Sequence, residues 1–285
     1  MTNHHDGSKG LIFVDVAEGT HHSIGTTPDG TAFSWGRRST SSTTMGRLGR
    51  DNKEAPFKKP GRVPLPDNVR VSKAFASNNS DPDSGHSAMI DEKGNIWMAG
   101  CDRWQQLGLG SPNGGSTGYT WQGGKQWQNR FTRAQFVTEL MKKETDTDGD
   151  DDDDDCGCSE QISKIRDVAL GGDHTLVLSS NRKHVYAFGK GGDGQLGFVG
   201  KPFVSAPKRS PILSGKNIAA VCAVESCSMT IDDNGAVIAK VGKCRSSRVS
   251  EGISKCIENA IRHRLLVDDN WLFVVHTYYI STKPF

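Results

Sequence analysis

Residues 171–201, GGDHTLVLSSNRKHVYAFGKGGDGQLGFVGK, read as one antiparallel hairpin closed at both ends by glycine turns. A Gly-rich turn leads to His174 and the apolar run Leu176, Val177, Leu178. After a polar turn comes a second run, Val185, Tyr186, Ala187, Phe188, then Gly189 and the tight Gly194-Gln195-Leu196-Gly197 turn. The unit extends over about Ile162 to Ile212, and its recurrence elsewhere decides the fold.

A first copy runs from IFVDVAEG (12–19) through His22, the Asp29-Gly30 turn, the return strand Ala32 to Trp35, Gly36, and Gly46-Arg-Leu-Gly49. The Asp-Gly pair has a mechanism, because a tight hairpin turn needs residues that tolerate positive φ. A second copy has VRVSKAFAS (69–77), His86, the Lys93-Gly94 turn, Ile96 to Ala99, Gly100, and Gln105-Gln-Leu-Gly108. The interval from histidine to closing glycine is 14 residues in the first two copies and 15 in the third, His174 to Gly189. Two further copies are worn. In residues 218–242 Cys227 stands in the histidine's place, Asn234-Gly235 makes the turn and Gly242 closes. In residues 257–276 His263 is restored, but Asn270 and His276 replace the turn and closing glycines.

The succession G-x-x-H, Asp-Gly or its equivalent, an aromatic followed by glycine, then G-Q-L-G resembles the repeats of the regulator-of-chromosome-condensation family. The resemblance covers residues 11–280 apart from two insertions. It implies an all-β chain, a β-propeller with about five recognisable blades, where the family commonly has seven. The final run, Trp271 to Val275 and Thr277 to Ile280, is expected to pair with Ile12 to Val16 and close the ring. Residues 1–10 and 281–285 are expected as tails, and 111–160 as a long loop insertion between the second and third blades.

Composition agrees with short strands and turns: 33 glycines and 34% hydrophobic residues in 285. Nine acids and no base fall between Glu144 and Asp155, which leaves 35 basic against 24 acidic residues elsewhere, a surplus of 11. A basic body with one acidic segment admits an acidic partner, but a dispersed surplus is no basic stripe, so direct nucleic acid or chromatin contact is not expected. Neither a secretory signal nor a run of 18 apolar residues is present, so no membrane contact is expected. Seven cysteines form no even framework and favour reduced thiols in a cytoplasmic or nuclear setting.

The histidines His22, His86, His174 and His263 recur once per copy. A propeller spreads such residues around a ring, so they read as structure, each with a ring nitrogen expected to bond nearby backbone in its blade. Gly36, Gly100, Gly189, Gly194, Gln195 and Gly197 read likewise as architecture, since no Lys-Ser/Thr pair follows to make a phosphate loop. The aspartate run repels itself and reads as disordered, and the calcium-loop spacing of Asp146, Asp148 and Asp150 fails where Asp151 stands for glycine. Cys156-Gly-Cys158 lacks a second ligand pair for zinc. No Gly-x-Ser-x-Gly elbow occurs. No cofactor, metal site or catalytic residue is therefore expected.

The distinctive segment is the insertion. Tyr119, Trp121, Lys125, Trp127, Arg130, Phe131 and Arg133 form an aromatic-basic patch that either anchors a partner or folds back on the propeller. Within it, Thr132 to Leu140 matches the extended link between blades by position, although Phe136, Val137, Leu140 and Met141 share a helical face. The functional expectation is a non-enzymatic protein-interaction scaffold. The family resemblance implies an alternative, guanine-nucleotide exchange on a small Ran-like GTPase, possibly on chromatin.

Overall fold

The computed structural model describes residues 11–36, 46–50, 57–81, 84–109, 127–135, 137, 165–244 and 254. They form four antiparallel sheets, each with strands in sequence order. The first blade holds β1 (Asp15–Glu18), β2 (His22–Thr26), β3 (Ala32–Gly36) and β4 (Gly61–Arg62). The second holds β5 (Val71–Ala76), β6 (His86–Asp91), β7 (Ile96–Cys101) and β8 (Trp127–Arg133). The third holds β9 (Ile165–Leu170), β10 (His174–Ser179), β11 (Val185–Lys190) and β12 (Phe203–Arg209), and the fourth β13 (Ala220–Val224), β14 (Cys227–Ile231) and β15 (Val237–Gly242). The described residues thus show an all-β propeller arrangement with four blades. The fifth copy with His263, the closing run 271–280, the tails and the acidic run lie outside them.

Each middle blade is sandwiched, which explains its continuous apolar strands. In β10 and β11, Val177, Tyr186 and Phe188 pack toward Ile90, Ile96 and Met98 of the second blade. The alternate residues Leu176, Leu178, Val185 and Ala187 pack toward Val221 and Ala223 of the fourth. Side chains alternate across a strand, so burying both faces requires an apolar residue at nearly every position.

A second tie runs along the first strand of each blade. The Asp15 carboxylate accepts from the Ala74 amide at 2.9 Å, and the Asp167 carboxylate accepts from the Val221 amide at 3.2 Å, each across one seam. Lys73 occupies the equivalent place in the second blade, three residues before the one paired with Ser87. Its ammonium donates to the Arg166 carbonyl at 3.2 Å. The rung keeps its position while its polarity reverses.

Two expectations are corrected. Residues 127–133, expected within a loop insertion, are the fourth strand of the second blade, paired with β7 at Cys101↔Trp127 and Trp97↔Arg133. Gln135 and Val137 beyond it are helical, so among the described residues of 132–140 only Thr132 and Arg133 lie in a strand. The cysteines are not all reduced: Cys227 and Cys244 are joined, and Cys222 is also disulfide-bonded. Cys227 lies opposite Gly242 in the β14–β15 ladder. The chain leaving that glycine carries Cys244 back to a Cα separation of 4.9 Å.

The closing glycines face the histidine positions directly: His22↔Gly36, His86↔Gly100 and His174↔Gly189. At Gly189, φ is +101° and a Cβ would lie 2.6 Å from the Asp173 carbonyl oxygen and 2.8 Å from the His174 Cα. Backbone on both sides leaves nothing to yield. Gly189→Ala is expected to cost about 2–4 kcal/mol, combining left-handed strain with a main-chain clash. Denaturant melts of wild type and variant check it.

Candidate functional site

The seams between blades hold the repeated polar residues. His22 Nε2 lies 2.6 Å from Ser87 Oγ, His86 Nε2 2.9 Å from Thr175 Oγ1, and His174 Nε2 2.6 Å from Ser228 Oγ. Each histidine therefore reaches the residue that follows the histidine position of the next blade. Ser87 Oγ donates to the Arg47 carbonyl at 2.6 Å, and Thr175 Oγ1 donates to the Gln106 carbonyl at 2.7 Å. A hydroxyl has one hydrogen, so with that hydrogen committed it must accept from the imidazole. His22 and His86 are thus assigned as Nε2–H tautomers by their partners.

The second member of the turn, Arg47 in the first blade and Gln106 in the second, thus supplies the carbonyl that completes these two seams. Gln106 Oε1 accepts from the Trp104 amide at 2.8 Å and Gln195 Oε1 from the Asp193 amide at 3.0 Å, which shapes the turns. Gly194 has φ +80° and open space where a Cβ would stand. Gly197 (φ +70°) is crowded, with Ser210 Oγ 2.5 Å from that point. Arg47 takes the glutamine's place in the first blade. Its guanidinium is buried and donates to the Ser84 carbonyl of the second at 2.9 Å.

Two further links cross the same face. Lys190, just after Gly189, lies 5.7 Å from the Trp104 ring centre, with Arg103 5.9 Å from the same centre. Lys243, just after Gly242, pairs with Asp193 at 2.7 Å. The loop between β5 and β6 spans three blades. Asn79 Nδ2 donates to the Gly172 carbonyl at 2.8 Å, the Glu225 amide donates to the Asn78 carbonyl at 3.1 Å, and Ser80 Oγ donates to Glu225 Oε2 at 3.2 Å.

The seven residues of the aromatic-basic patch do not share one exposed surface. Tyr119, Trp121 and Lys125 lie outside the described residues. Phe131 is buried in the core shared by the first two blades and is not available to a partner. A Cβ on Gly49 would meet its ring at 2.2 Å. The physical reason is strand alternation: β8 turns Phe131 onto the 46–49 turn of the first blade. Trp127, half-buried, lies on the same turn, its Cε3 3.2 Å from where a Gly46 Cβ would stand. Arg130 is exposed and its backbone bridges Arg50, while the exposed Arg133 donates to Asn95 Oδ1 at 2.6 Å. The residues that sequence reasoning missed are Ser87, Thr175 and Ser228. Their signal was present, a hydroxyl residue after the histidine position in four of the five copies, but serine and threonine are too common in strands to stand out.

Burial governs the charge state of the relay. Desolvation, with repulsion from His174 second, pushes His86 down to about 3. His174 is pushed down to about 3 by burial and then by Lys190. Burial, then the Arg47 guanidinium, holds His22 well below the usual histidine range. The second ring nitrogens of His86 and His174 have no hydrogen-bond partner among the described residues, so an added proton there would find no acceptor. Among those residues no group of three or more His, Cys, Asp or Glu could hold a metal ion.

Because the unfolded chain binds protons at His86 and His174 near pH 6.5 and the folded chain does so only near pH 3, their contribution to stability is full above 6.5. It falls as pH drops toward 3, by about 1.4 kcal/mol per pH unit for each histidine. His86→Gln keeps a donor for Thr175 and removes one titration. Its thermal midpoint should fall less steeply between pH 6.5 and 4 than that of the wild type, and an equal slope would refute the neutral-relay assignment.

Comparison with known proteins agrees with this architecture. Two models described as Regulator of chromosome condensation (RCC1) repeat match residues 165–195 and 184–231. The chain is 25% identical over 253 residues to a protein RCC2 homolog of Xenopus laevis, covering 88% of this chain and 44% of that protein. It is 24% identical over 262 residues to protein RCC2 of Homo sapiens, covering 91% and 45%. It thus spans less than half the length of the curated relatives it matches. Among solved structures it resembles yeast RCC1 (Prp20) bound to Kap60, with TM-score 0.53, 18% identity, and coverage of 81% of this chain and 43% of that one. It resembles human WBSCR16 with TM-score 0.52, 18% identity, and coverage of 79% and 46%. Prp20p of Saccharomyces cerevisiae has also been solved in work on its binding to Gsp1p and histones, with TM-score 0.51, 19% identity, and coverage of 86% and 47%. A histidine-to-hydroxyl contact joins each adjacent pair of the four described blades, and residues 165–231, from the third blade into the fourth, carry the regulator-of-chromosome-condensation repeat.

Proposed function

We propose that the chain is a non-enzymatic platform for binding other proteins. The observation that carries this reading is where its reactive groups go. His22, His86, His174 and the seam hydroxyls are buried and bonded across the seams, and the buried turn glutamines hold their own turns, which leaves edges and loops to meet a partner. A stack of rigid blades presents such edges at fixed spacing, which suits recognition by shape and charge. The relatives named RCC2 and the propeller fold support a scaffold. The partner is a protein; nucleic acid is not proposed as a direct ligand, and the setting proposed is cytoplasmic or nuclear. No helix among the described residues is long and apolar enough to cross a membrane.

The second blade's outer edge is the first contact region in this proposal. Arg130 and Arg133 are exposed on β8, and Tyr119, Trp121 and Lys125 belong to the stretch leading into it. Exchange on a small GTPase is the second reading, motivated by the likeness to Prp20p, a protein solved with attention to Gsp1p binding. At 18–19% identity that likeness speaks for the fold alone.

Because β8 is part of the blade, the informative deletion removes only residues 111–126. Affinity purification with the full chain, this deletion and an Arg130→Glu/Arg133→Glu variant should show loss of the same partners from both altered forms, at unchanged melting temperature. Identical partner sets for all three would remove this edge from the proposal. Accelerated nucleotide release from any of a panel of small GTPases would replace the scaffold reading by exchange.

A further inference from the structure

The outer edge of the third blade differs in kind from that of the second. Phe131 of β8 turns inward onto a neighbouring turn, whereas the third blade leaves its apolar side chains outside. Val199 is 93% exposed, Ile212 48% and Phe203 40%. They come from the loop before β12, the link after it and its first residue. The loop and the link meet at Gly197, where a Cβ would stand 3.3 Å from the Ile212 Cβ, so Val199 and Ile212 flank the same turn. Large apolar residues scattered singly need no explanation, but Val199 and Ile212 flanking one turn, with Phe203 on the same strand edge, do.

The same edge carries positive charge without a counter-charge. Lys201, Lys208 and Arg209 are exposed, and no Asp or Glu occurs from Gly194 to Val224. Elsewhere on the blades cations sit against acids: Arg103 with Asp173, Arg182 with Asp233, Lys243 with Asp193. None of the ion pairs among the described residues involves Lys201, Lys208 or Arg209. Lys208 instead lies 5.7 Å from the ring centre of Phe198, beside Val199, which fixes one ammonium next to the apolar group.

Resting on the platform reading above, we propose that this edge docks an acidic peptide segment that carries aliphatic or aromatic side chains. Carboxylates would meet Lys201, Lys208 and Arg209, and the apolar side chains would cover Val199 and Ile212. Charge brings the partner in and sets its orientation, while apolar burial supplies affinity. A nucleic acid would use the cations but would leave Val199 and Ile212 uncovered.

The test uses the full chain and a fluorescein-labelled synthetic peptide of alternating glutamate and leucine pairs, read by fluorescence anisotropy. Binding should weaken with salt and fall about tenfold in Val199→Asp and in Lys208→Glu, the loss expected where a residue lies at the centre of the contact. Both side chains are exposed, so melting temperatures should not change. Arg133→Glu on the second blade should leave peptide binding intact, which separates failure of this proposal from failure of the second-blade one. The proposal is overturned if the peptide binds no better than a glutamate-serine control or if both variants bind it like wild type. It is equally overturned if a single-stranded oligonucleotide or phosphatidylserine vesicles compete better than the unlabelled peptide.

Discussion

Each described seam depends on a hydroxyl that can give only one hydrogen. Ser87 and Thr175 spend it on a turn carbonyl of the preceding blade, so the other bond must come from a neutral imidazole of that same blade. Two elements of one blade thereby converge on a single atom of the next. The seam positions the histidine strand and the 46–49 or 105–108 turn together, and a shift of either by one residue would lose both bonds. A buried donor or acceptor left unpaired costs more than the bond itself yields, so the arrangement selects register more than it adds net stability.

Much of the fold was legible because propeller geometry repeats in sequence. The interval of 14 or 15 residues from histidine to closing glycine encodes a hairpin in which the two residues sit opposite each other, and Gly189 shows why no side chain fits there. The seam was less legible. Position marks His174 as structural, but its partner Ser228 lies 54 residues away, in a blade whose own histidine has become a cysteine. The β8 strand escaped notice because its carbonyl-end neighbours, Phe136 to Met141, suggest a helix, and because the preceding glycine-rich stretch hides where the blade resumes. The cysteines misled for a different reason. Parity of the count says nothing about Cys227 and Cys244, which are neighbours only because β14 and β15 pair.

Seams need complementary groups more than particular residues. Asp15 and Asp167 accept from an amide of the next blade, and Lys73 in the equivalent place donates to a carbonyl there. Arg47 replaces a glutamine and makes a longer reach to Ser84. Such exchanges explain how copies that differ so much can stack alike, and why the outer edges, free of this constraint, are where blades diverge. The second blade uses its edge aromatics to close a seam, while the third leaves Val199 and Phe203 exposed.

The fourth blade carries this logic to its limit. Ser228 still receives His174, so the blade is joined to the third like any other. At the position from which a histidine would reach forward, Cys227 bonds instead to Cys244 just beyond the third strand of its own blade. A group that links neighbours elsewhere is here turned inward, beside the apolar set Cys222, Val224, Met229 and Ile231. Among the described blades the fourth therefore departs furthest from the repeat while it keeps the seam that joins it to the third.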